Sequence, residues 1–176
     1  MIGFHSHGCG SIAGTLVLAL TFALALVPAF GAAASSAAGD AIVGRWQTED
    51  EDGNRDSIVE ITRNGETYVG RVVWVKYTVY PDDDPRGWAG RPVVDRENPD
   101  PTLRTRSLLG VDVLKGLRFD GEGWSEGEIY SPRKGTTYAA RAWLEAEATL
   151  KIRGYVGTPW LGRTVTWRRA PAGGDS

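Results

Sequence analysis

The feature that most constrains the fold is a series of short β-type runs, which from residue 42 onward are separated by turn residues at intervals of about ten residues. The runs cover residues 42–48, 57–62, 67–76, 111–119, 123–130, 136–144, 149–156 and 163–169. No long helical pattern interrupts them. The sequence therefore predicts an all-β domain, and eight strands favour a small closed antiparallel barrel, because closure removes the exposed strand edges that promote aggregation.

Turn chemistry and side-chain alternation support the hairpins. Asn64-Gly65 lies between the second and third runs, and this dipeptide accepts the positive φ angles that tight hairpin turns require. In the third run Tyr68, Gly70, Val72 and Trp74 share one face, since alternate residues of a strand point the same way. The opposite face is also partly apolar, which predicts a central strand.

One long irregular segment, residues 77–104, separates the third and fourth runs. Loops of this length inside a compact domain are usually functional or mobile. Asp100 can cap a short helix, Pro101 suits its first position and Gly110 can end it. We expect this helix to plug one end of the barrel through three leucines: Leu103, Leu108 and Leu109.

The N-terminal region has the pattern of an export signal. An Ala- and Leu-rich run over residues 12–27 is followed by three small residues at 32–34, which predicts a signal peptide over residues 1–38 with cleavage between Ala34 and Gly39. No Lys or Arg precedes the run, and residues 12–30 could nearly cross a bilayer, so a retained anchor is the alternative. We expect a periplasmic or secreted barrel domain over 42–169 and a disordered tail over 170–176.

Removal of that segment changes the chemistry that the domain can perform, because Met1, His5, His7 and Cys9 all lie in it. Disulfides, Ser-His-Asp and Cys-His catalysis, and zinc or copper sites that depend on imidazole or thiolate ligands are then excluded. Every Lys, Arg, Asp and Glu lies at or beyond Asp40, so the mature domain keeps the net charge of −2 with both signs interspersed. This balance argues against nucleic acid and against electrostatic binding to an anionic membrane.

Carboxylate chemistry remains. Pairs among Asp95, Asp100, Glu126 and Glu128 could act as in a glycosidase, but ionised surface acids are the more common role. The acidic run at residues 82–84 lacks the spacing of a dedicated Ca²⁺ loop and is expected to be a solvated turn. We therefore predict no catalytic residue, no metal site and no cofactor.

Two short motifs resemble the calycin superfamily, which contains the lipocalins and fatty-acid-binding proteins. They are Gly44-Arg45-Trp46 in the first run and Trp167-Arg168-Arg169 in the last. The resemblance implies a barrel floor in which the indole of the Gly-x-Trp motif meets a basic residue of the last strand. Such a contact combines burial of a large ring with a cation–π interaction.

A longer ordered set resembles the secreted bacterial family called domain of unknown function 2147 over about residues 42–169. The set consists of Gly70-Arg-Val-Val-Trp74, Asp95, Asn98-Pro-Asp-Pro-x-Leu-Arg104, Leu109-Gly110, Trp124, Gly127-x-Ile-Tyr130, Gly135-x-x-Tyr138, Leu150, Arg153-Gly-Tyr155 and Gly162-Arg-Thr164 to Trp167. This resemblance implies a signal peptide and a calycin-like barrel in the periplasm or outside the cell, and no established activity. The chain departs from the family pattern at Ser131, where an Asp is expected.

The leading functional hypothesis is a non-enzymatic module that holds a small, partly apolar ligand in the barrel, with Arg153 or Arg104 meeting an acidic head group. The candidate ligand-binding residues are Arg104, Arg153, Tyr68, Trp74, Asn98 and Asp100. For Arg104, Arg106, Arg153 and Arg163, salt bridges to Asp95 or Asp100 are the favoured alternative role. For Asn98-Pro-Asp-Pro101 the favoured role is turn and cap chemistry.

Two other functions stay open: an envelope interaction protein that works through the 77–104 loop without a pocket, and a carboxylate enzyme acting on a glycan. A cavity of about 300 Å³ or more, lined by Trp46, Tyr68 and Leu150, would favour the ligand binder. A packed interior with exposed Trp88 and Trp160 would favour the interaction protein. We expect a monomer whose partner is an unknown small molecule or an envelope protein, with no membrane contact after signal cleavage.

Overall fold

The computed structural model describes residues 37–49 and 55–171, which form a closed barrel of eight antiparallel strands in sequence order. The strands are β1 (Gly44–Glu49), β2 (Arg55–Asn64), β3 (Thr67–Val75), β4 (Asp112–Phe119), β5 (Trp124–Ser131), β6 (Thr136–Ala146), β7 (Thr149–Tyr155) and β8 (Arg163–Arg169). The predicted fold class is therefore confirmed. The expected signal peptide up to residue 36 and the tail from residue 172 lie outside the described residues.

Two glycines occupy positions where a side chain would be strained or would clash. Gly65 adopts a φ of +63° in the β2–β3 turn, as the Asn-Gly dipeptide predicts. Gly70, in the middle of β3, would place a Cβ atom 2.9 Å from the Cβ of Leu114 on the neighbouring strand. The missing side chain therefore lets β3 and β4 pack closely on the inner face.

The barrel interior around Trp46 is filled by the side chains of the barrel itself. Trp46, Tyr68 and Leu150 are all buried in one continuous core that also contains Leu114 and Trp167. The rings of Tyr68 and Trp124 meet edge to face, 6.4 Å apart between centroids. The interior around these residues is occupied by packed apolar atoms, and neither of the clefts described below is lined by Trp46, Tyr68 or Leu150. The cavity that would favour a ligand deep in the barrel is therefore not seen around these residues.

Residues 37–42 cross the end of the barrel where β1 begins, which we call the closed end. The chain forms a single 3-10 turn there, Asp40–Ile42, with the side chain of Ile42 fully buried. Side chains from separated strands hold it: the indole of Trp124 donates to the Gly39 carbonyl at 3.1 Å, and the Tyr68 hydroxyl donates to Asp40 at 3.0 Å. The opposite end, where β1 and β3 finish, is the open end.

The helix expected over residues 100–110 is much shorter in the structure, and that prediction was wrong in its extent. Only Pro101–Leu103 form a 3-10 turn, whose first amides are capped by Asp100 as predicted. Beyond it the backbone of residues 106–107 pairs with residues 94–95, which takes up the groups a longer helix would need. Leu109 is 47% exposed, so it does not plug the barrel.

Candidate functional site

The connection between β3 and β4, residues 76–111, is stabilised by hydrogen bonds and ion pairs among its own residues. Asp84 accepts hydrogen bonds from the backbone N–H groups of Arg86 and Trp88 and from the guanidinium of Arg96, the last at 2.9 Å. Burial opposes the charged form, but these donors together hold the pKa of Asp84 below its ordinary value. The indole of Trp88 packs against Tyr80 with centroids 5.6 Å apart and is partly buried.

A second part of the connection, residues 95–106, is clamped to the outside of the barrel by the buried carboxylate of Asp95. One oxygen of Asp95 accepts from the Tyr130 hydroxyl at 2.7 Å. The other accepts from the Asn98 amide at 2.7 Å and from two nitrogens of Arg106 at 2.9 and 2.7 Å. Charge-assisted bonds of this length are strong. We call residues 95–106 the clamp segment.

Tyr130 joins the clamp segment to β5. Its pKa is raised to about 12, because burial disfavours the phenolate and because the hydroxyl donates to the negatively charged Asp95. The amide of Asn98 also donates to this hydroxyl at 3.1 Å. The phenol is therefore a structural donor at neutral pH, and no proton transfer is required of it.

The clamp segment and the barrel enclose a cleft of about 200 Å³, the wall cleft. Its lining consists of Asn98, Pro99, Leu103, Arg106, Asp112, Val113, Lys115, Glu128, Tyr130 and Thr137. Lys115 faces Glu128 across the β4–β5 pairing, next to the pair formed by Leu114, which is buried, and Ile129, which is partly buried. Because side chains alternate along a strand, Lys115 and Glu128 lie on the outer face of the barrel.

A second cleft of about 220 Å³, the rim cleft, lies at the open end where β3 finishes. Its lining is largely apolar: Val75, Thr78, Pro92, Val93, Val94, Thr105, Ser107, Leu108 and Leu109. Val75 also packs against the main core. The rim cleft thus lies at the open end of the barrel, whereas the wall cleft lies on its outer face, beside Lys115 and Glu128.

The inner face of β8 opens to solvent toward the same end. Trp167, Val165 and Arg163 pair with Leu150, Ile152 and Gly154 of β7, so all three occupy the inward face. Trp167 is buried, Val165 is 37% exposed, and Arg163 is exposed without an ion pair to any described residue. An arginine and an apolar side chain thus remain accessible at the mouth of the barrel.

The six candidate ligand-binding residues do not form one site. Asn98 lines the wall cleft, and beside it Arg104 donates to the Asn98 carbonyl while Asp100 caps the adjacent turn. The pKa of Asp100 is lowered by the hydrogen bonds it accepts from Thr102. Tyr68 is buried near the closed end, and Trp74 is partly buried opposite Ile58 of β2. These placements give the first three residues a common position and leave the other candidates apart.

Arg153 lies on the outer face of β7, because the side chain of the adjacent residue, Ile152, is buried inside the barrel and side chains alternate along a strand. Its guanidinium donates to the carbonyls of Pro159 and Trp160 and to the Thr164 hydroxyl. These bonds fix the β7–β8 connection. The side chain is therefore not directed into the barrel.

The proposed floor residues meet at the closed end. The guanidinium of Arg169 lies 4.3 Å from the ring centroid of Trp46 and donates to the carbonyls of Ala41 and Val43. Gly44, with a φ of +126°, leaves room for it, because a Cβ atom there would lie 2.9 Å from Arg169 Nη1. Trp167 is part of the core, whereas Arg168 points outward and pairs with Glu49 at 3.0 Å.

The carboxylates considered for catalysis have structural partners or stand apart. Asp95 holds the clamp segment, Asp100 caps a turn and Glu126 lies 3.9 Å from Arg118. Within residues 37–49 and 55–171, no group of three Asp, Glu, His or Cys side chains could hold a metal ion. Nor does that part of the chain contain a helix long and apolar enough to span a membrane.

The sequence patterns did not identify Val165, or Val75 and the other residues that line the rim cleft, as candidate site residues. Strand alternation along β8 carries a signal for Val165 and Arg163, because both share the face of Trp167. No comparable signal identifies the rim cleft, since residues 92–94 and 105–109 meet through the folding of a long connection. Hydrophobic periodicity predicts helices and strands, and it does not predict the contacts within such an irregular segment.

Comparison with known proteins agrees with this architecture. The chain is similar to a protein described as "Protein HP1028 from the human pathogen Helicobacter pylori belongs to the lipocalin family", with 25% identity and a TM-score of 0.60 over 74% of this chain and 83% of that one. No curated protein matches the sequence. The family model for uncharacterized proteins conserved in bacteria, DUF2147, matches residues 44–169. The chain therefore belongs to the DUF2147 family and has a lipocalin-like barrel.

Proposed function

We propose that this protein is a non-enzymatic binder of a small, partly apolar ligand that carries an acidic group, and that the ligand sits at the open end of the barrel. The observation that carries this proposal is the accessibility of the inward-facing residues there. Val165 and Arg163 stay exposed on the face whose deeper members, Trp167 and Leu150, are buried.

The chemistry of the open end suits such a ligand. The rim cleft supplies apolar side chains from Val75, Leu108 and Leu109, together with the hydroxyls of Thr105 and Ser107. Arg163 supplies a planar cation that forms no ion pair with any described residue, and a guanidinium can hold a carboxylate through two parallel hydrogen bonds. Drug-sized pockets occupy roughly 300 to 1,000 Å³, so the rim cleft, at about 220 Å³, fits one apolar arm of a small molecule.

The wall cleft is the weaker choice for the same ligand. Two of its ionic side chains already have partners outside the cleft: Arg106 pairs with Asp95, and Asp112 pairs with Arg71, each at 2.7 Å. The carboxylate of Glu128, directly across from Lys115, would repel an acidic group. A ligand with an apolar arm and an acid therefore finds better partners at the open end.

Two further properties belong to the same proposal. A lipocalin-like fold is associated with binding, and His and Cys occur only in residues 1–9 of the chain, so we assign no catalytic step. The apolar N-terminal run supports export to the periplasm or beyond the cell. Lipocalin folds host many ligands, so the fold alone does not name this one.

Native mass spectrometry of the protein purified from a periplasmic extract tests the proposal. The protein is compared with itself after denaturing extraction and refolding. We expect a co-purifying small molecule with an acidic group, whose occupancy falls at least tenfold in Arg163→Gln. Arg141→Gln is the matched control. Arg141 lies opposite Arg153 in the register of β6 and β7, so its side chain is on the outer face of the barrel, as that of Arg153 is.

Two results would overturn the assignment. An empty protein that also takes up nothing from a panel of fatty acids and carboxylate metabolites would remove the ligand-binding function. A bound molecule that Arg163→Gln retains but Lys115→Gln loses would place the site in the wall cleft. Mass and circular dichroism of each variant establish that the fold is intact.

A further inference from the structure

Residues 156–161 of the β7–β8 connection carry the most exposed apolar side chains of the described chain, and we call them the tip. Trp160 is 90% exposed, Leu161 84% and Val156 69%. Single exposed apolar residues are ordinary on protein surfaces, but three large ones within six residues are not.

The tip is held in this conformation. Arg153 donates to the carbonyls of Pro159 and Trp160 and to the Thr164 hydroxyl, at 3.1 and 2.9 Å for the last two. Backbone bonds from Leu161 to Thr158 and from Gly162 to Pro159 close the 3-10 turn Pro159–Leu161. The exposure of Trp160 and Leu161 is therefore a built feature of the turn.

The shape of the tip restricts what can cover it. Neither the wall cleft nor the rim cleft is lined by tip residues, and the tip is an exposed turn that joins two strands. A small molecule buries most of its surface in a concave site, which such an exposed turn does not provide. The occupant must therefore be a large surface into which apolar side chains can enter.

The charge of the hairpin that bears the tip selects among such surfaces. Residues 149–170 contain five basic residues, Lys151, Arg153, Arg163, Arg168 and Arg169, and no acidic residue. Lys151 and Arg168 are compensated by Glu145 and Glu49, well away from the tip. Arg153 and Arg163 flank it without an ion pair to any described carboxylate.

We propose that the tip docks on an anionic phospholipid surface, with Trp160 and Leu161 entering the boundary between head groups and acyl chains. Tryptophan is enriched at that depth, and each basic residue near an anionic leaflet adds attraction. Three other exposed apolar residues, Tyr77, Val79 and Leu109, lie at the same end of the barrel. The proposal shares Arg163 with the proposed ligand site but depends on the exposed side chains of Trp160 and Leu161, which are not part of that site.

The overall charge of the chain hides this property. Both signs are interspersed over the whole sequence, which predicts against electrostatic membrane binding, and the open end also carries the exposed Asp82 and Asp83. The basic, acid-free composition is confined to one hairpin. Docking is therefore expected to require both the apolar tip and the anionic lipid.

Flotation with large unilamellar vesicles tests the proposal, using the protein as recovered from the periplasm. Vesicles of phosphatidylcholine with phosphatidylglycerol are compared with vesicles of phosphatidylcholine alone. We expect binding to the mixed vesicles to exceed binding to phosphatidylcholine at least fivefold and to fall with added salt. In the double variant Trp160→Ser, Leu161→Ser, binding to the mixed vesicles falls at least tenfold.

Val43→Ser is the matched control, because Val43 is an exposed apolar residue at the closed end. All three proteins share one N-terminus, so any effect of residues 12–30 is common to them. Equal flotation of the wild type and the tip variant, or equal binding to both lipid compositions, would overturn the proposal. So would a wild type that ignores vesicles but dimerises in sedimentation while the tip variant stays monomeric, since the tip would then be a contact between copies.

Discussion

Trp46 is the largest of the fully buried side chains, and its environment makes it the clearest test of the closed end. Its indole N–H donates to the Ile42 carbonyl at 2.8 Å beneath the guanidinium of Arg169. We predict that Trp46→Ala lowers the free energy of unfolding by about 3 to 5 kcal/mol, because it leaves a large cavity. Urea denaturation measures this loss.

The control for that measurement is Trp160→Ala, which removes an equal side chain from a position that is almost fully exposed. It should change stability by no more than about 0.5 kcal/mol. A loss below about 1 kcal/mol for Trp46→Ala would show that the residue does not organise the closed end.

The pKa of Tyr130 predicts the alkaline behaviour of the fold. Since the folded pKa is raised from 10.0 to about 12, the folded state holds its proton more tightly than the unfolded chain. Stability from this group is complete below pH 10 and is lost as the pH rises toward 12. We predict a falling free energy of unfolding across that range, with a smaller slope in Tyr130→Phe.

Tyr68 contributes in the same direction, because burial and Asp40 raise its pKa as well. A slope that is unchanged in Tyr130→Phe would therefore assign the alkaline loss to Tyr68 or to another group. Tyr68→Phe measured beside it separates the two phenols. The comparison requires no ligand.

At the scale of elements, Gly135 joins the β5–β6 turn to the clamp segment. Its φ is +61°, and a Cβ atom there would overlap the Glu97 carbonyl oxygen. Gly65 has nearly the same φ, +63°, but nothing within 4 Å of an added Cβ. We predict that Gly65→Ala costs about 1 kcal/mol from backbone strain alone, and that Gly135→Ala costs at least about 2 kcal/mol more.

Chemical denaturation gives both losses, and hydrogen exchange shows their location. In Gly135→Ala the amides of residues 95–106 should exchange faster, while in Gly65→Ala they should keep the wild-type rate. Equal losses for the two variants would mean that the clamp segment yields to the added methyl group without cost.

The elements also show what the sequence could predict. All eight strands were found to within three residues, because alternating apolar positions and turn dipeptides such as Asn64-Gly65 are local signals. The sequence predicts a short helix that begins at Pro101 and ends at Gly110, yet Ser107 forms a β-bridge with Val94, and residues 105 and 107–109 line the rim cleft. Their conformation depends on Arg106 reaching Asp95 and on residue 107 pairing with residue 94, and such contacts leave no periodic pattern.

The net charge of the whole molecule conceals a local excess of basic residues. A net charge of −2 with mixed signs describes the average of the chain, whereas residues 149–170 contain no acidic residue, and the strand pairing makes this stretch one hairpin. Likewise Arg153 and Arg163, ten residues apart in the sequence, take opposite faces of the barrel wall. The two arginines therefore have different surroundings. Which face each side chain occupies depends on the register of β7 and β8, and that register is known only once the pairing of the strands is known.

Closure of the barrel rests on a narrow seam. In the described part of the chain β1 and β8 pair at Trp46 with Arg169 and at Gln47 with Arg168, and one further backbone bond runs from Ala170 N–H to the Arg45 carbonyl. Arg169 reinforces this seam by donating to the carbonyls of Ala41, Val43 and Glu147, whereas Arg168 forms one exposed ion pair. We predict that Arg169→Met lowers the free energy of unfolding by about 2 kcal/mol, because carbonyl acceptors lose charged donors.

Arg168→Met should cost less than about 1 kcal/mol, as expected for an exposed pair. In Arg169→Met, hydrogen exchange should accelerate first in β1 and β8, before the strands on the far side of the barrel, because a barrel that loses its seam opens there while the remaining ladders persist. Uniform acceleration over all eight strands would show that the barrel opens as one cooperative unit, with Arg169 stabilising the whole molecule and not its closure.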